Sequence, residues 1–211
     1  MEYRMAVALR KDREFQRREQ EIITAAKNLF LTHGPDRVSV DLIVQQVGIA
    51  KGTVYRHFQS KDDIFAVICI NYLVDLCDKL RANNIAKPIS SQIRFLGRTY
   101  LEYSLGDLEA YRLYRDLRHR IIPDKLDAGI RRRLAEQYLE LKKQILSVIE
   151  PGIAQEILPA ADPEHLFVLG FGLLDGTLDT LLQGPFDVHL RNPEAFLRMA
   201  QDVLTRAITQ N

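Results

Sequence analysis

The chain has 211 residues, 46% of them hydrophobic and 27% charged, with a formal net charge of +1. That is enough for one domain or two small ones with an ordinary core, and it excludes a global positive field that would draw the whole chain to nucleic acid. The charge is uneven, however: residues 1–61 carry eleven Lys/Arg against seven Asp/Glu, so the remainder is net acidic. No apolar stretch before a small-residue cleavage site opens the chain, and no apolar run approaches 18 residues without a polar break. Neither secretion nor a membrane span is therefore expected, and a cytoplasmic protein is. Cys69 and Cys77 stand eight residues apart on one predicted helix, about 12 Å along its axis, too far for a disulfide. They are expected to be buried thiols.

Strand signals are nearly absent and helical periodicity runs almost throughout, which predicts an all-α chain of about nine helices. The first runs from near Asp12 to Thr32, with Ile22, Ala26, Leu29 and Phe30 on its buried stripe, and stops at His33-Gly34-Pro35. Ser39 caps a second helix from Val40 to Val47, and Gly48 supplies the positive φ of a tight bend. A short third helix covers about Lys51 to Phe58. Ser60 caps the fourth, with Asp63 in a capping-box position, and that helix continues to about Asn83. Ala86-Lys87-Pro88 breaks the chain before helices expected over Ser90–Leu105, Leu108–His119 and Asp127–Ile149, with Pro123 and Pro151-Gly152 as stops. Asp162-Pro163 opens a very apolar helix, His165 to Gln183, which Gly184-Pro185 ends; Asn192-Pro193 opens the last, to about Thr209.

The segment from Val47 to Lys61 is the most informative. Val54 and Phe58 share one face of the short helix and can anchor it, while Thr53, Tyr55, Arg56 and His57 lie on its polar side. A helix, a tight glycine turn and a short polar helix form a helix-turn-helix, whose second helix enters the DNA major groove. Residues 12–65 resemble the DNA-binding domain of TetR-type (AcrR-like) bacterial transcriptional regulators. The likeness is carried by Leu29-Phe30…Gly34, Ser39-Val40…Ile43, Val47-Gly48-Ile49, Lys51 through Phe58, and Ser60-Lys61-Asp62-Asp63-Ile64. About a quarter of the chain carries it; the rest agrees in length and helical character alone. Ala50 stands where such proteins often have a capping Ser, a difference of roughly 1 kcal/mol in helix initiation.

The resemblance implies a helix-turn-helix domain at 1–64 and an effector-binding and dimerisation domain at 65–211. It implies a homodimeric regulator, most often a repressor, that binds a palindromic double-stranded DNA operator and is released by a small molecule. Expected DNA contacts are Ser39, Lys51, Gly52, Thr53, Tyr55, Arg56, His57 and Lys61. Lys51 and Lys61 sit at helix starts, where free amides favour anions. Gly52 permits close backbone approach, and Thr53 offers a hydroxyl or a methyl. Tyr55 either meets a phosphate or packs on the first helix. Arg56 either reads a base or meets a phosphate. The basic stretch from Arg4 to Arg18 is either a minor-groove arm or, the favoured reading, a frayed tail with a solvated first turn.

Residue type and helix placement nominate Phe65, Tyr72, Phe95, Tyr103, Tyr114, His119 and Phe171 for an effector pocket. The Tyr- and Arg-rich stretch 111–133 is read as solvated helix faces in preference to a site for an anionic effector. The helix from His165 is apolar nearly all round, so it needs burial on two sides. A dimer interface made with the last helix would include Phe167, Leu174, Leu178, Leu181, Phe196, Val203 and Leu204. His33, His119, His165 and His189 have no metal-ligand spacing, and no phosphate loop or nucleophile elbow occurs, so neither cofactor, metal nor catalysis is expected. An architectural DNA-binding protein without an effector, and an enzyme with an appended helix-turn-helix, are the alternatives.

Overall fold

The computed structural model describes residues 2–82, 87–183 and 192–208. Among them are nine α-helices and no strand, so the chain is all-α as its periodicity predicts. The helices are α1 (Glu2–His33), α2 (Val40–Val47), α3 (Lys51–His57), α4 (Lys61–Leu80), α5 (Ile89–Gly106), α6 (Leu108–Arg118), α7 (Ala128–Ala154), α8 (Pro163–Gln183) and α9 (Pro193–Ile208). The expected breaks at Ala86 and Gly184-Pro185 lie outside the described residues, as does His189.

Two compact units form. The first comprises Met1–Tyr72 and Glu109–Ala135. Its core takes Ile22, Ala26 and Phe30 from α1, Ile43 from α2, Val54 from α3, and Ile64 and Phe65 from α4. Phe30 and Phe65 meet edge-on with ring centroids 5.2 Å apart, and each large apolar side chain buried in this way contributes about 1.5–3 kcal/mol. Tyr114 of α6 stacks on Tyr72 at 4.2 Å. Helix α1 begins ten residues before the expected Asp12. Residues 2–33 contain neither Gly nor Pro, and Glu21 pairs with both Arg17 (2.9 Å) and Arg18 (2.7 Å) one turn back. The basic stretch is therefore helical and not a frayed tail, and its residues 9–17 are exposed. Gly34, at φ +79°, donates its N–H to the Phe30 carbonyl and ends it.

The second unit comprises Leu73–Leu108 and Glu136–Asn211. Helix α5 packs against α8 and α9, and Ile89, Ile93, Val148, Ile149, Leu158 and Leu166 form a buried cluster. Asp162 caps α8 by accepting from the Glu164 N–H (2.8 Å), and Asn192 caps α9 by accepting from the Ala195 N–H (2.9 Å). One expected stop is corrected. Helix α7 runs through Pro151 to Ala154, forgoing the one backbone bond for which Pro151 has no N–H. The stop is Glu156, in the left-handed region at φ +56°. Its N–H donates to the Ile153 carbonyl and the Ile157 N–H donates to that of Gly152, the double bond pattern of a Schellman cap. Sequence gives no sign of it, since the left-handed residue is neither Gly nor Asn.

By length and composition, Pro163–Leu182 is apolar enough to cross a membrane. That property alone does not place it in one: Leu166 and Leu178 are buried in the second unit, and Asp175 accepts a hydrogen bond from the Tyr100 hydroxyl (2.8 Å). Cys69 and Cys77 are free and buried on α4, and burial pushes their thiols up to about 12 and about 11.

Two substitutions at the end of α7 should act in opposite directions. A Cβ on Gly152 would lie 2.8 Å from Leu158 Cδ1 and 3.2 Å from Ile89 Cγ2, so Gly152→Ala should cost about 1–3 kcal/mol. Glu156→Gly removes the left-handed strain and should gain roughly 1 kcal/mol. Urea unfolding followed by circular dichroism measures both; equal midpoints for the two variants would refute this account.

Candidate nucleic-acid interface

The first unit presents a short helix whose placement depends on its neighbours. Seven residues cannot hold a helix by themselves. Helix α3 begins at Ala50, which supplies no side-chain cap, and its inner face is Val54 (0% exposed) followed by Phe58 (2%). Before it, the Ser39 hydroxyl accepts from the Leu42 N–H at 3.2 Å and starts α2. Gly48, at φ +71°, ends α2 by donating to the Val44 carbonyl at 3.0 Å, and any side chain there would be strained. After α3, the buried Asp63 carboxylate accepts from the N–H groups of Gln59 (2.8 Å) and Ser60 (3.2 Å). The Ser60 hydroxyl accepts in return from the Asp63 N–H at 3.2 Å. This is the capping box the sequence predicts, with Asp in place of Glu.

With Val54 and Phe58 turned inward, Lys51, Gly52, Tyr55 and Arg56 are exposed, and Thr53 and His57 are half-buried. Lys51 makes a 2.6 Å ion pair with Asp41 of α2 and lies 5.9 Å from the Tyr55 ring centroid. Arg56 makes no ion pair among the described residues and reaches into solvent. Lys61 is placed differently from a phosphate clamp. Its ammonium donates to the carbonyls of Pro35 (3.1 Å) and Val38 (3.3 Å), so it holds the turn between α1 and α2. His57 stacks on Phe15 of α1 at 3.9 Å, and its Nδ1 is buried with no hydrogen-bond partner. Lys11, Phe15 and Arg18 of α1 face Thr53, Arg56 and His57 across a hollow of about 460 Å³.

Two features here have no local sequence signal. Phe15 is the seat of His57. Asp63 also accepts, through Oδ1, from the Asp127 N–H at 2.9 Å, while Asp127 accepts from Gln59 Nε2 at 3.0 Å. The exit of α3 is thereby tied to the start of α7. The arginines of 111–133 are dispersed among partners in this unit: Arg120 with Asp36, Arg133 with Glu19 (3.4 Å), Arg131 with Asp124 (3.8 Å), and Arg115 with Asp116 (3.1 Å).

The second unit holds a cavity of about 70 Å³ between α5, α7 and α8. Of the seven nominated pocket residues, Phe171 lines it. Phe65, Tyr72 and Tyr114 are buried in the first unit, and His119 is exposed there. Phe95 is half-buried on α5, and Tyr103 lies with Lys79 beside a shallow groove. Of the nominated interface residues, Phe167 and Leu174 line the cavity, Leu178 is fully buried, and Leu181 and Phe196 are half-buried. Val203 is exposed, and the Leu204 side chain lies outside the described residues. Val168, Leu169 and Leu173 of α8 and Met199 of α9 are exposed although they stand outside the nominated interface set. A helix apolar on every side does not reveal which face is outward.

Residues 22–68 match the family model of bacterial regulatory proteins of the tetR family. Over 80 residues the chain is 24% identical to the HTH-type transcriptional repressor AcnR of Corynebacterium diphtheriae, covering 38% of this chain and 42% of that protein. Over 136 residues it is 26% identical to IcaR of Staphylococcus epidermidis, a biofilm operon HTH-type negative transcriptional regulator, covering 63% and 70%. The first of these matches thus spans less than half the relative's length. A bacterial regulatory protein in the tetR family from Rhodococcus RHA1 superposes with a TM-score of 0.68 at 15% identity over 92% of this chain and 98% of that one, which shows the shared fold.

His57 gives this unit a pH dependence. Burial holds its imidazole below the ordinary 6.5, against the opposing charge of Glu19. The unfolded chain therefore takes up the proton first, so the stabilising share is full above 6.5 and falls as pH drops below it. The urea midpoint should decline from about pH 7.5 to 5.5, and less steeply in His57→Gln. An identical decline in the variant would rule out His57 as its source.

Proposed function

We propose that this chain, a member of the TetR family of bacterial regulatory proteins by its residues 22–68, is a homodimeric, ligand-responsive transcriptional repressor of the cytoplasm. The observation that carries the reading is the outward face of α3. Val54 and Phe58 hold the helix from below, and Lys51, Gly52, Tyr55 and Arg56 stand clear for a major groove. Residues 1–64 bind DNA in this reading; 65–211 bind the effector and the second copy. Two α3 helices about 34–36 Å apart read the halves of a palindrome. Ser39, Thr53 and His57 contribute phosphate contacts at the edges of the helix, and Arg56 reads a base. Lys61 contributes indirectly, by holding the turn that positions α2.

Repression is supported by the printed descriptions of the relatives, a transcriptional repressor and a negative regulator. Dimerisation is supported by the bare apolar faces of α8 and α9, where Leu169 is 65% and Val168 62% exposed. Effector response is supported by the cavity on the opposite face of α8. Helix α4 supplies residues to both units, so a ligand that favours one orientation of it alters the spacing of the two α3 helices.

Selection of bound sequences from a random duplex pool, at physiological salt with excess competitor, should enrich one palindrome. Salt-sensitive binding without enrichment would refute sequence-specific regulation. Arg56→Ala should weaken that operator by about 1–3 kcal/mol and relax discrimination at one position in each half-site. Leu169→Asp should shift sedimentation from dimer to monomer while keeping the helical circular dichroism; a dimer that persists would place the interface elsewhere.

A further inference from the structure

The cavity of the second unit has a chemical selectivity that its walls spell out. Leu96, Leu141, Ile145, Phe167 and Phe171 supply its hydrocarbon surface, and among the described residues the one polar side chain on the wall is Tyr100. The Tyr100 hydroxyl donates to the Asp175 carboxylate at 2.8 Å. Among the described residues, no Lys, Arg or His lines the space. The arginines of 111–133 that would meet an anionic head belong to the other unit, and Arg120, Arg131 and Arg133 are engaged there with carboxylates.

We infer that the effector bound in this cavity is an uncharged molecule with a hydrocarbon body, not a carboxylate, a phosphate ester or a lipophilic cation. The inference rests on the regulator reading for the word effector, and on the cavity walls for the chemistry. An anion entering here would leave water with no cation on the described walls to receive it. A cation would lose its hydration among aliphatic walls. The Tyr100, Phe171 and Phe167 rings pack on one another, with centroids 5.5 and 6.0 Å apart, and do not surround a point. A hydrocarbon gains from the same surroundings, by about 25 cal/mol for each Å² removed from water. At about 70 Å³ the space accepts a slim chain, and a larger one must press Phe167 and Phe171 outward. Both lie on α8, whose opposite face carries Val168, Leu169 and Leu173.

Three probes of equal chain length separate the chemistries: hexan-1-ol, hexanoate and hexyltrimethylammonium. They are titrated calorimetrically into the full-length protein without DNA, so a failed operator selection and a failed pocket assignment remain distinct results. Hexan-1-ol should bind at one site per chain, and both charged probes at least tenfold more weakly. A Cβ on Gly170 meets no heavy atom within 4 Å, so Gly170→Leu fills the space and should weaken the alcohol at least tenfold. Leu96→Phe gives the same readout if that variant fails to fold. The inference is overturned if the alcohol does not bind, if either charged probe binds within tenfold of it, or if the filled variant binds it unchanged.

Discussion

A helix of seven residues without a side-chain cap holds its place because both of its ends are fixed by something else, and at the far end that is the Asp63 carboxylate. Fully buried, it receives three backbone N–H groups, from Gln59, Ser60 and Asp127. An acceptor so far from water is tolerated only when it is saturated in this way. The bonds to Gln59 and Ser60 set the angle at which α3 leaves for α4, and the bond to Asp127 refers that angle to α7. Without them, the outward face of α3 has no defined direction. The direction of α3 at its far end therefore depends on one side chain that never touches solvent.

The near end of α3 is fixed by backbone geometry. Gly48 adopts a left-handed conformation that would strain a residue with a side chain, and Ser39 sets where α2 begins. Lys61 adds a tether from α4 back to the turn before α2. A residue that looks like a phosphate ligand by its position thus works from inside the domain. The His57 ring is held against Phe15, which fixes its place at the edge of the helix.

What could be read from sequence was local. Ser39, Gly48 and the Ser60/Asp63 box each act within four residues, and the bounds of α2 match the expected Val40–Val47. The first turns of α1 were not legible because a solvated basic helix and a solvated basic tail share one composition. The end of α7 was missed because Glu156 adopts a backbone state that its side chain does not advertise. The inward and outward faces of α8 could not be told apart, since Phe167 and Leu174 look no more apolar than Val168 and Leu169. Nor could any local pattern bring Asp127 to Asp63, 64 residues apart in sequence.

Helix α4 carries both thiols, and both are kept protonated and covered. A thiol reacts with alkylating and oxidising reagents as the thiolate and only when reached. In the folded chain Cys69 and Cys77 are silent to such reagents, and each becomes reactive when its own turn of α4 opens. Cys69 lies in the first unit and Cys77 in the second. The rates at which the two are labelled therefore time the opening of one helix at two points, with no foreign probe introduced.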